Sequence, residues 1–122
     1  MRDAVRVLDS LRARLNRSNE DLHAESLQVR FDDASCARIA EAADRGPVRV
    51  RGEVAGLQVV PRAGAPSLEV TVDDGTARAV AVFTGRKRVG GLDPGRPVEV
   101  EGMARRQGGR LVLLNPAYTL LP

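Results

Sequence analysis

The stretch Val48-Arg49-Val50-Arg51-Gly52-Glu53-Val54 alternates apolar and polar residues, the period of a strand whose successive side chains point to opposite faces. Its valines share one face and its charges the other, which describes a half-buried strand. Gly52 and Gly56 interrupt it where a barrel strand bends or bulges, and Leu57 to Val60 continues it as far as Pro61. One long, bent strand of this kind can serve two sheet edges.

Downstream the pattern repeats. Pro61 to Pro66 reads as a loop and Leu68 to Val72 as a second strand. Asp73-Asp74-Gly75-Thr76 carries the Asp-Gly pair of a tight turn, so Ala77 to Thr84 is expected to fold back antiparallel. Gly85 to Gly95 holds Gly90-Gly91 and Asp93-Pro94-Gly95 and reads as a connection with at most one helical turn. Pro97 to Met103 alternates as a fourth strand, Gln107 to Arg110 turns, and Leu111 to Leu114 opens a fifth. Five short strands, glycines in the long first one and a longer connection between the third and fourth match a mainly β fold, the five-stranded Greek-key barrel of the OB type. An SH3-like barrel has a similar strand count and stays open as the alternative.

Upstream the period changes to that of a helix. Ala4, Val7, Leu8, Leu11 and Leu15 recur at helical spacing, and Ser18 before Glu20 and Asp21 reads as the N-cap of a second segment through Leu22 and Leu27 towards Arg30. A third helical stretch is expected over residues 35–43, ended by Gly46-Pro47. The chain therefore divides into an N-terminal helical extension, residues 1–45, and a barrel, residues 46–122.

At 122 residues, with 43% apolar residues, the chain suits a single core, and its aromatics are only Phe31, Phe83 and Tyr118. The lone Cys36 excludes an internal disulfide, and with the lone His23 it falls short of a zinc site, so no metal or cofactor is expected. Arg2 and Asp3 precede no long apolar run, so neither a secretory signal nor a membrane span is expected, and the cytoplasm is the expected location. Residues 1–45 carry 8 Arg against 9 acids, whereas residues 46–122 carry 11 Arg plus Lys against 7 acids. The excess base in the barrel favours a polyanionic partner if it is gathered on one side.

The order of motifs adds a resemblance. Val48 to Val54, Asp74-Gly75-Thr76, Val82 to Arg88, Leu92-Asp93-Pro94-Gly95-Arg96, Val100-Glu101-Gly102 and Asn115-Pro116-Ala117-Tyr118 together resemble a bacterial family of small OB-fold nucleic-acid-binding proteins. The resemblance covers residues 46–120 and extends more weakly to residues 18–27. It implies an OB barrel and a nucleic-acid partner. Ala77 stands where related modules often have Gly, and Phe83 where the family often has Trp.

Arg86-Lys87-Arg88 follows the third strand and the aromatic Phe83, a placement that suits phosphates on the cations and a base on the ring. Phe83 is also the volume that an aromatic-poor core needs, and both roles stay open. Arg49 and Arg51 project together from the outer face of the first strand, Arg62 lies in the loop after it, and Arg105, Arg106 and Arg110 flank the last hairpin. These residues are candidates for one basic track, with Glu53, Glu69, Glu99 and Glu101 as competing partners.

No nucleophile with a base and no phosphate-binding glycine loop is visible, and the paired acids Asp73-Asp74 and Asp32-Asp33 read as a turn and a helix start, so an enzyme is not expected. The expected function is a non-catalytic module that binds single-stranded DNA or RNA through a basic groove with weak sequence preference. The alternative is a protein-interaction or assembly module, in which Leu8, Leu11, Leu15 and Leu22 within residues 1–30 dock on a partner or pair with a second copy.

Overall fold

The structure, a computed structural model, describes residues 2–122, with side chains over residues 6–61 and 63–122. It is mainly β. A single helix, α1 (Arg2–Phe31), precedes six strands: β1 (Arg45–Arg62), β2 (Ala65–Asp73), β3 (Arg78–Thr84), β4 (Pro97–Gln107), β5 (Arg110–Leu114) and β6 (Ala117–Leu120). Ala4, one of the apolar positions read from the sequence, has its side chain outside the described residues.

Four expectations need correction. The loop expected over Pro61 to Pro66 is a turn of two residues, because Pro61 pairs with Pro66 and Arg62 with Ala65, so that Arg62 ends β1 and does not lie in a loop. Residues 2–31 contain neither Gly nor Pro, so nothing breaks the backbone at Ser18, and the two expected helices are one 30-residue helix. The stretch over residues 35–43 forms only a 3-10 turn, Ile39–Glu41, because Ile39 N–H is taken by the Asp74 carboxylate at 2.9 Å and Ala40 N–H by the Thr76 hydroxyl at 3.1 Å. The strand count is six: the last, β6, pairs antiparallel with β4, matching Tyr118 with Val100.

Five of the strands form a barrel-like ring. β1 pairs with β4 through Arg45–Glu53 and with β2 through Glu53–Arg62, so one strand does serve two edges. β2 pairs with β3, β3 runs parallel to β5, and β5 pairs antiparallel with β4. Gly52 sits where β1 passes from one neighbour to the other. A Cβ there would lie 2.6 Å from Val72 Cγ1 and 2.7 Å from the Asp73 carbonyl oxygen, so no larger residue fits the crossing. A bulge between Val54 and Gly56 then bends the strand.

The inward positions, among them Val50, Val54, Val70, Val72, Val98, Val100, Leu111 and Leu113, form one buried cluster. Ile39 and Ala42 join it from the 3-10 turn, and Val89 and Leu92 from the connection between β3 and β4, which contains no helix. Among the described side chains α1 meets the barrel over its last third, beginning at His23, whose ring lies 3.7 Å from the Glu53 carboxylate. Leu27 and Phe31 are buried there, and the Gln28 side-chain amide donates to the Gly75 carbonyl at 3.1 Å. Gly75, with φ of 86°, has no room for a Cβ beneath the helix backbone. Among the described residues no helix is long and apolar enough to cross a membrane.

Candidate functional site

The antiparallel register of β1 on β4 sets four outward pairs in a row: Arg51 with Glu99, Arg49 with Glu101, Pro47 with Met103, and Arg45 with Arg105. The first two are opposite charges. Arg51 Nε donates to Glu99 Oε1 at 2.9 Å, its Nη1 lies 3.1 Å from Asp33 Oδ2, and Arg49 Nη2 lies 3.3 Å from Glu101 Oε1. The hydrogen bond that Arg49 donates to Glu101 holds Arg49 more firmly protonated, and the one that Arg51 donates to Glu99 does the same for Arg51. Asp33 is held below the usual carboxylate range, first by hydrogen bonds from Ser35 and then by the two arginines. This end of the face is neutralised by its own residues.

The last pair is different. Arg45 and Arg105 are direct cross-strand partners of like charge, an arrangement that disfavours the fold. Among the described residues no carboxylate lies within ion-pair distance of either. With its carbonyl oxygen turned towards it, the Gln107 amide accepts from the Arg105 guanidinium, which offers a dipole but no counter-charge.

Beside these two cations lies a groove of about 450 Å³, lined by Val82, Met103, Val112 and Leu114 together with Arg45, Arg105 and Gln107. Met103 and Leu114 are 64% and 60% exposed, large apolar side chains left in water. Arg110, opposite Gln107 in the β4–β5 hairpin, is exposed one step further along. Two unmatched guanidinium groups beside an apolar floor can hold an anion that carries a flat or apolar group.

The chain matches no family model and no curated protein. Its own geometry has to carry the functional reading.

Of the residues named from the sequence, Arg86, Lys87 and Arg88 are exposed in the connection after β3 and form no ion pair among the described residues. Lys87 and Arg88 line a second groove of about 370 Å³ with Leu57, Val59 and Leu68. The connection begins three residues after Val82 of the first groove.

Phe83 is 5% exposed and belongs to the core. Its ring meets Tyr118 edge-on, with centroids 6.0 Å apart, so it offers no face to a base: of its two readings the structure has the core one. The Tyr118 hydroxyl donates to the Gly90 carbonyl at 3.3 Å and ties the connection down.

Arg105 and Arg106 part company because neighbours in a strand face opposite ways. Arg106 turns inward at the barrel end, where its guanidinium donates to the carbonyls of Ile39 at 2.9 Å and Ala42 at 2.8 Å and pairs with Asp44 at 3.0 Å. It is a structural clasp for the 3-10 turn. Arg49 and Arg51 are on the outer face as expected but are already paired, and the side chain of Arg62 lies outside the described residues.

The sequence reading missed Arg45, Met103 and Leu114. Arg45 was legible: the alternation of Arg49 and Arg51, carried two steps back through Pro47, puts it on the same face.

Proposed function

We propose that this chain is a non-catalytic nucleic-acid-binding module built on an OB-type Greek-key barrel, and that it holds a single strand along the outer face of β3, β5 and β4. The observation that carries this reading is the unmatched Arg45–Arg105 pair beside an exposed apolar groove. The ring order β1-β2-β3-β5-β4, closed back onto β1, supports the OB assignment, as do the parallel β3–β5 contact and the bent first strand shared by two partners. In such barrels ligands lie on the face of the second and third strands and at the loop between the fourth and fifth, which here is Gly108-Gly109 and leads into Arg110 at the start of β5.

Phosphates lie on Arg45, Arg105 and Arg110, and bases cover Met103, Val112 and Leu114. Unpaired bases are needed to reach the floor, so single strands are preferred to duplex. The floor presents no directed donors or acceptors, so sequence preference is weak. Arg86, Lys87 and Arg88 extend the phosphate track beyond Val82. The half-buried free thiol of Cys36 suits a reducing compartment, in keeping with a cytoplasmic location.

The test is fluorescence anisotropy with labelled single-stranded DNA, RNA and duplex DNA. If three phosphates are neutralised, single-strand affinity falls about 10- to 20-fold between roughly 50 and 200 mM salt. Replacing both Arg45 and Arg105 by Ala lowers the slope of log affinity against log salt by about 1.4, the share of two phosphates. A folded parent chain that binds none of the three nucleic acids at the lower salt refutes the reading.

A further inference from the structure

We infer that α1 is a self-association element, pairing antiparallel with α1 of a second copy of this chain. Leu8, Leu11, Leu15, Leu22 and Val29 follow the 3-4 spacing of a coiled-coil seam, interrupted by Ser18 and Glu25. The seam faces away from the barrel. Val29, flanked by the buried Leu27 and Phe31, is 82% exposed, and it shares its heptad position with Leu22, Leu15 and Leu8. Val7, Leu8, Leu11, Leu15 and Leu22 are between 48% and 64% exposed. A helix about 45 Å long thus carries an apolar stripe along the side its own barrel leaves uncovered.

Charge along the helix selects the occupant and its direction. The first part of the helix carries Arg2, Arg6, Arg12, Arg14 and Arg17 against Asp3 and Asp9, and the rest carries Glu20, Asp21 and Glu25 against Arg30. A parallel pair would set base beside base and acid beside acid. An antiparallel copy sets each basic half against the partner's acidic half. Full overlap of the two helices then places Leu11 opposite Leu22, Leu15 opposite the small Ser18, Leu8 opposite Glu25 at the outer layers, and Arg14 beside Asp21, each twice. The barrels dock on the far sides of their own helices, so they sit at opposite ends of the pair without collision.

Sedimentation equilibrium on the full chain is expected to show twice the chain mass at concentrations on the order of 100 µM. Changing Leu11 and Leu15 to Glu weakens the dimer at least tenfold, roughly 1.4 kcal/mol or more, while the circular dichroism of the barrel is unchanged. Direction is read by cysteine pairing in a Cys36→Ser background. A mixture of Leu11→Cys and Leu22→Cys chains cross-links on oxidation, and either chain alone does not. A monomer at every concentration overturns the inference and leaves the stripe to a different protein. A dimer untouched by the two Glu changes overturns it as well, and self-linking of Leu11→Cys overturns the antiparallel direction.

Discussion

The two ends of the β1–β4 outer face hold the same kind of residue in opposite circumstances. At one end Arg49 and Arg51 each face a glutamate, and at the other Arg45 faces Arg105. Four arginines that count equally in the net charge therefore differ in what they offer a partner. At the first end the charge is spent inside the molecule, holding β1 to β4. At the second it costs the fold something and is available to an anion. Basic composition points to a polyanion only after the strand register has subtracted the pairs, which explains why a positive excess spread through a sequence is weak evidence of binding.

Charge reversal at the unmatched end and neutralisation at the matched end are expected to differ most. Changing Arg45 and Arg105 to Glu is expected to weaken single-strand binding about 100-fold, roughly 2.7 kcal/mol, as read by anisotropy at fixed salt. Changing Arg49 and Arg51 to Gln is expected to alter affinity by less than about threefold, because those guanidinium groups are engaged by Glu101 and Glu99. Equal losses at both ends would show that the ion pairs open to admit the ligand, and the distinction between the ends would fall.

Arg106 shows the same contrast between neighbours in one strand. It adjoins Arg105 in the chain, yet its guanidinium holds the carbonyls of Ile39 and Ala42. Arg106→Ala is expected to cost about 2 kcal/mol of stability by leaving those part-buried acceptors unpaired and to leave affinity nearly unchanged. Urea denaturation and anisotropy on the same variant separate the two effects. A loss of binding without loss of stability would put Arg106 in the groove.

These contrasts also mark where the sequence stops being readable. The alternations at Val48–Val54, Leu68–Val72 and Pro97–Met103 announce strands because period two is local information, and the Asp-Gly turn announces the β2–β3 hairpin for the same reason. β6 is hidden: Ala117 to Leu120 is four residues long and exposed throughout, so no buried face imprints a pattern on it. Ser18 suggests a cap that nothing nearby enforces, since among the described side chains the contacts with the barrel reach α1 only from His23 onward. The site is hidden for a longer-range reason. Arg45 and Arg105 are separated by most of the barrel in sequence, and their opposition follows from a register set by a core neither joins. Gly46-Pro47 reads as a helix breaker, yet β1 begins one residue before it, with Pro47 near the strand start where a missing N–H is tolerated.

The like-charge pair predicts a smaller effect of opposite sign to most substitutions. Arg105→Gln should raise stability by about 0.5 kcal/mol, because it removes a cross-strand repulsion and breaks no ion pair. Glu101→Gln, at the matched end, should lower it slightly. Chemical denaturation of the two variants side by side is the measurement. A stabilised Glu101→Gln together with a destabilised Arg105→Gln would mean that the two ends had been assigned the wrong way round.

The smallest expected effect lies at the matched end, where Glu99 serves two neighbours. It accepts from Arg51 and also from the Cys36 thiol, whose sulfur is 3.5 Å from Glu99 Oε1. Burial pushes the thiol above its ordinary range, the Ser35 hydroxyl draws it down, and the hydrogen bond and negative charge of Glu99 push it up again. Less thiolate is therefore present at a given pH than on an open cysteine, and iodoacetamide should label the folded chain slowly at mildly alkaline pH. Glu99→Gln removes the carboxylate while Arg51 stays close, so the thiol becomes more acidic and labelling should run roughly two- to fivefold faster. A rate that does not change would mean that Arg51 already cancels the Glu99 charge at the sulfur, making the neutralisation at this end more complete than the geometry implies.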